Sequence, residues 1–138
     1  MILKLLKYLP RITAAVILLQ TLFFKFGIGG PEALKESQIL FSKLSEGIFG
    51  NINYEAYFRI PTGLFELIAS VLILIPKTSV YGAILSIGLM SGAVLSHIFF
   101  LGISHNEDGG SLFMLAIIVL LCGSLVAWQE KEKIKNLW

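Results

Sequence analysis

Lys25, Glu66 and His97 offer the most chemistry in this chain, because each interrupts an otherwise apolar run. An ionisable group in hydrocarbon is costly, so it pairs with a partner, lines a cavity or marks a path for ions or protons. An ammonium and a neutral imidazole can donate hydrogen bonds to a ligand oxygen. A carboxyl group whose neutral form is favoured by burial can exchange a proton, whereas one beside an ammonium is held ionised. The expected partner of Glu66 is Lys25. Arg59, seven residues before Glu66 on the same stripe, is the other candidate.

Composition sets the medium in which these groups sit. The chain has 138 residues, 56% hydrophobic and 14% charged, against about 25% charged in an ordinary soluble domain. That is too apolar for water, and the length suits a single domain over 1–138. A net charge of +2 gives no argument for a nucleic-acid partner. The single cysteine, Cys122, excludes an intramolecular disulfide and a two-cysteine relay within the chain. No CxxC, HExxH or glycine-rich phosphate loop is present, so neither a metal site nor a soluble nucleotide enzyme is expected.

A helix crossing a bilayer needs roughly 20 apolar residues, with about 17 tolerated. Four stretches qualify, at about 11–28, 58–75, 78–102 and 111–128. Breakers fall between them: Gly27, Gly29, Gly30 and Pro31, then Pro76, then Asn106, Gly109 and Gly110. Lys4, Lys7, Arg11, Lys77, Lys131, Lys133 and Lys135 would share one side, and only Lys35, Lys43 and Arg59 the other. The positive-inside rule then places both termini in the cytoplasm. Tyr8, Tyr81 and Trp128 mark the inner interface, and Tyr54 and Tyr57 the outer. Lys4, Lys7 and Arg11 ahead of Ile12–Phe24 also fit a signal peptide, but a lysine at position 25 is unusual for one.

The outer loop between spans one and two is too long for a turn. Pro31-Glu32 is a good helix start, with proline in the first turn and an acid near the positive end of the dipole. Leu34, Phe41, Leu44 and Ile48 recur at helical spacing, which predicts an amphipathic helix over 31–45. It lies on the outer leaflet or caps the spans. The expected fold class is therefore all-α: an integral membrane antiparallel four-helix bundle with an additional amphipathic helix in its outer loop.

Depth brings the polar residues together. At about 1.5 Å rise per residue, Lys25 lies roughly 4–5 Å from the outer end of its span, His97 roughly 6 Å and Glu66 roughly 10 Å. Asp108 stands at the outer mouth before span four. Arg59, Thr62, Gly63, Glu66, Ala69 and Ser70 fall on one stripe, as do Ala14, Leu18, Thr21 and Lys25. Gly82, Ser86, Ala93 and His97 follow a similar path in span three, with Gly88 and Gly92 forming a GxxxG nearby. Small residues of this kind let helices approach closely in lipid. The expected polar cluster is Lys25, Glu66, His97, Arg59 and Asp108.

At these residues the chain resembles the DoxX/DoxX-like family of small four-span bacterial membrane proteins. The matching pieces are Phe24-Lys25-Phe26, Glu66-Leu67 and Pro76-Lys77. Tyr81-Gly82-Ala83, Met90 to Ala93, His97 and Asp108-Gly109-Gly110 follow in order. The resemblance spans most of residues 11–128 and is weaker in the outer loop. It implies the bacterial cytoplasmic (inner) membrane. It also implies, for some relatives, small subunits of thiosulfate:quinone oxidoreductases or partners in membrane redox assemblies.

Two functions follow. In the first, the chain is a redox-associated subunit that binds a quinone-like or other lipophilic small molecule. Lys25 and His97 donate to its oxygen, Glu66 exchanges a proton and Asp108 connects the pocket to the outer face. The chain has no flavin, haem or iron–sulfur motif of its own, so a redox partner protein would supply electrons and any enzyme role would be accessory. In the second, the chain is a non-catalytic membrane scaffold or chaperone-like module, and the Lys/Glu/His cluster is structural.

Overall fold

The computed structural model describes residues 2–102 and 110–136, and all its regular elements are helices. They are α1 (Ile2–Lys25), α2 (Pro31–Phe49), α3 (Glu55–Leu74), α4 (Ser79–Ser96), α5 (Ser111–Gln129) and α6 (Lys131–Lys135). A short 3₁₀ turn, Ile52–Tyr54, precedes α3, and a π-helical segment, His97–Leu101, continues α4. Asp108 lies outside the described residues.

Three helical stretches are long and apolar enough to cross a membrane: Ile52–Leu74, Ser79–Leu101 and Ser111–Gln129. The expected first span is not among them. α1 starts well before position 11 and carries Lys4, Lys7, Arg11, Gln20 and Lys25 along its length. The helix in the loop runs four residues beyond the expected end, to Phe49. Gly50 stops it with φ 67°, and its N–H closes onto the Glu46 carbonyl. That conformation is left-handed and favours glycine.

The helices bury narrow stripes and expose the rest. On α3 the buried stripe is Arg59, Gly63, Glu66, Ala69, Ser70 and Ile73, at i, i+4, i+7 spacing. Phe65, Ile68 and Val71, between those positions, are exposed, which suits a helix whose outer face meets lipid. α1 packs on α3 and α5, and α4 packs on the same two, so the four long helices close a ring. Its core is Ala14, Ala15, Leu18, Ala69, Ile73, Ala83, Val119 and Val126. α3 and α4 approach so closely that a methyl group on Gly82 would run into the Ile73 backbone.

Each end of the ring is tied by polar contacts to carbonyls that the helices leave open. Arg59 Nη1, near the start of α3, donates to the Lys25 carbonyl at the end of α1 over 2.5 Å. Lys43 of α2 donates to the Leu101 carbonyl at 3.2 Å. At the other end Pro10 sits inside α1 and has no N–H for the Leu6 carbonyl four residues back. Gln129 Nε2 takes that place at 3.3 Å. Lys133 donates to the Pro76 carbonyl at 3.2 Å, and Thr78 Oγ1 to that of Leu72 at 2.9 Å.

α2 crosses the first of these ends. It packs on α1, α3 and the π-helical segment, so it caps the ring. The Phe100 ring fits against Gly47, where a Cβ would stand 2.5 Å from it. Phe41, Leu44 and Leu101 form a second apolar cluster beneath the cap.

Candidate functional site

Beneath α2 lies a cavity of about 690 Å³, within the roughly 300–1,000 Å³ usual for small-molecule sites. Its walls come from α1, α2, α3, α4 and α5. Most are apolar: Ile17, Leu18, Leu40, Phe41, Leu44, Phe58, Leu89, Met90 and Leu115. Lys25, Glu66 and His97 all line it. Matching depths on three inward stripes thus put all three expected residues on one space.

The pair at its wall is tight. Lys25 Nζ lies 3.1 Å from Glu66 Oε1 and 3.2 Å from Oε2. The side chains are 12% and 4% exposed, so water screens them little. Thr21 Oγ1 is 2.5 Å from Glu66 Oε2 and 2.7 Å from the Leu18 carbonyl. Its single hydroxyl proton serves one of these acceptors at a time. Glu66 therefore has both oxygens engaged within the protein. The ammonium donates one hydrogen bond, to Oε2, and meets Oε1 as an ion-pair contact, and Nζ lies 5.9 Å from the Phe41 ring centre.

His97 is held differently. It is buried, opens the π-helical segment and stands edge-on to Phe113, with ring centres 5.9 Å apart. Nδ1 lies 3.0 Å from the Gly102 carbonyl, five residues on. Gly102 has φ 81°, a conformation open to glycine that turns this carbonyl back toward the ring. A carbonyl only accepts, so Nδ1 carries the proton. In the neutral ring Nε2 is then a lone pair. This corrects the expectation that neutral His97 donates to a ligand: its free nitrogen accepts. The π turn is what sequence reading missed, and a single helix breaker at 102 was its only signal.

Arg59 does not line the cavity. Besides the Lys25 carbonyl it holds Glu55, with Nε 2.8 Å from Oε2. It braces the helix end that carries Lys25. Thr21, Glu36 and Ser37 line the cavity as well. Thr21 was visible on the Lys25 stripe, four residues before it, whereas Glu36 and Ser37 needed the capping position of α2.

The GxxxG is also corrected. Gly88 and Gly92 line the cavity, and a Cβ on either would meet nothing within 4 Å. They leave gaps in the α4 wall between Leu89, Met90 and Ala93. They make room where close helix contact was expected, and the contact itself is made at Gly82.

A second buried ion pair lies at the opposite end. Arg11 is fully buried, and its Nη2 is 2.6 Å from Glu130 Oε1. Lys133 stands 3.2 Å from the other carboxylate oxygen. Burial alone would push the Glu130 carboxyl up; Arg11 and Lys133 outweigh it and hold it below the ordinary carboxylate range. Arg11 Nε and Nη1 have no partner among the described residues. Sequence reading placed Arg11 on this side without its partner, because helical spacing gives a face and a depth and leaves the contact across 119 residues unstated.

The model of the DoxX-like family matches residues 18–124. That stretch contains Lys25, Glu66, His97 and the cavity lining except Ile17, and excludes both Arg11 and Glu130. No curated protein and no solved structure matches the chain.

Proposed function

The chain belongs to the DoxX-like family, and from that premise we propose that it is a redox-associated membrane subunit holding a quinone-like or other lipophilic ligand in the cavity under α2. The observation that carries this reading is a buried Lys–Glu pair and a buried histidine on the wall of an otherwise apolar space of about 690 Å³. Lipophilic ligands suit such a lining, and a few placed polar groups orient their heads. Lys25 offers a remaining N–H to a ligand oxygen. Glu66 keeps Lys25 in place, and Arg59 keeps the end of α1 in place. Electrons come from a partner protein.

The proposed setting is the bacterial cytoplasmic membrane. α1, α3, α4 and α5 form an antiparallel four-helix bundle with both termini in the cytoplasm. The ring of contacts and the seven-to-three split of basic residues support this orientation. In a Cys122→Ser background, a cysteine at the exposed Glu46 is expected to react with an impermeant maleimide from outside, and one at Lys135 only from inside. The opposite labelling rejects the topology.

A second reading, a non-catalytic scaffold, is favoured by one observation: both Glu66 oxygens are already engaged within the protein, by Lys25 and Thr21. The two separate on purified protein. A short-tailed benzoquinone should raise the melting temperature of the wild type, and Gly92→Leu, which fills the cavity, should remove that shift. A protein indifferent to the quinone that co-purifies with a stoichiometric protein partner belongs to the scaffold reading.

A further inference from the structure

We infer that the cavity selects a lipophilic ring bearing a hydroxyl group, which donates to His97 Nε2, over the same ring bearing only carbonyls. The inference rests on the proposed reading that the cavity takes a lipophilic ligand, and it names which chemical form. It follows from where the protons are. His97 Nδ1–H is committed to the Gly102 carbonyl at 3.0 Å, which leaves Nε2 of the neutral ring as an acceptor. Nε2 has no hydrogen-bond partner among the described residues, and it is not among the buried polar atoms left without one. The ring lines the cavity, and on this inference Nε2 faces that side.

The other polar groups do not offset this preference: the hydroxyls of Thr21, Ser37 and Thr62 and the Gln20 amide on the same wall can each donate or accept, and so serve both forms alike. Glu66 is a carboxylate occupied by Thr21 and Lys25, so it adds no donor. Lys25 keeps N–H capacity beyond its bond to Glu66, and an N–H suits a carbonyl and a hydroxyl oxygen alike. The discrimination falls to His97. A carbonyl oxygen placed there sets one lone pair against another and leaves a buried acceptor unmet, whereas a hydroxyl satisfies it. The ligand class is a phenol-like or quinol-like amphiphile, with its apolar part along the gaps that Gly88 and Gly92 leave in the wall.

The test compares three probes of one skeleton on detergent-purified protein without oxygen: a decyl benzoquinol, the matching benzoquinone and the quinol dimethyl ether. The wild type is expected to bind the quinol about tenfold more tightly than either comparator, the worth of one well-made buried hydrogen bond. His97→Asn keeps an N–H for the Gly102 carbonyl and removes the distal acceptor. In that variant the three affinities should converge to within about twofold. Equal affinities in the wild type, or a quinol preference that survives His97→Asn, overturn the hydroxyl inference and leave the lipophilic cavity standing. If none of the three binds folded wild-type protein, the cavity reading fails and this inference with it. Should His97→Asn not fold, the dimethyl ether decides: an ether bound as well as the quinol shows that the hydroxyl proton is not read.

Discussion

Two buried ion pairs stand at opposite ends of the helix ring, sharing only α1, and their surroundings differ. Lys25 and Arg11 are fourteen residues apart on α1, about 21 Å along its axis. In the Arg11–Glu130 pair the guanidinium is fully buried and a second cation stands on the carboxylate. The Lys25–Glu66 pair is nearly as buried, yet it borders a cavity and its ammonium has an N–H to spare. A pair whose cation is fully buried serves to hold the helices. A pair with an open side can also hold something else. Burial alone does not separate the two cases; the space beside the charge does.

That contrast is sharpest when one partner is removed. Glu130→Ala strands a fully buried guanidinium and should cost about 3–5 kcal/mol. It is read as a loss of thermal stability in detergent, with ligand affinity of the surviving folded protein unchanged. Lys25→Ala should cost less, about 1.5–3 kcal/mol, because Glu66 keeps Thr21 and the cavity adjoins it. Combining it with Glu66→Gln should cost less than the two single variants added together. A strictly additive double variant would show that the 3.1 Å contact carries no coupling and would undo the comparison at that end.

Glycine substitutions extend the comparison to the helices. Gly82→Ala should destabilise by about 1–3 kcal/mol, since its methyl meets the Ile73 backbone. Gly88→Ala should be neutral or gain up to about 1 kcal/mol from helix propensity. Equal losses at both positions would mean that the wall along Gly88 and Gly92 is packed against a neighbour.

The smallest expected effect is on pH dependence. The Glu130 carboxyl is held below the ordinary carboxylate value by Arg11 and Lys133 against its own burial. A group depressed in the folded state lends stability that is complete above the unfolded value, near 4.3. That stability drains as pH falls through the lower folded value. Melting temperature should therefore fall on acidification through this window, and Glu130→Gln should flatten the slope. An unchanged slope in Glu130→Gln would place the acid sensitivity elsewhere.

Much of the cavity end was legible because depth and helical face are both local properties. Lys25, Glu66 and His97 each carried their position in the spacing of their neighbours, and α2 announced itself through Pro31-Glu32 and its apolar period. What escaped depended on partners and on exact backbone path. The π turn reverses which nitrogen of His97 is free, and no side-chain pattern encodes it. Gly88 and Gly92 have the spacing of a helix contact, and only the position of the neighbouring helices shows that they border a void. Arg11 read as an interfacial charge because its partner arrives from the far end of the chain. α1 fell short of the apolarity expected of a span for the same reason that it matters: its charges serve both ends.

The most direct test of the cavity as a lipophile site is to identify its natural occupant. Mass spectrometry of organic extracts from purified wild-type and Gly92→Leu protein should find a ring-bearing lipophile near one per chain in the first and lost from the second. No such molecule in the wild type, or the same amount in both, would contradict the account.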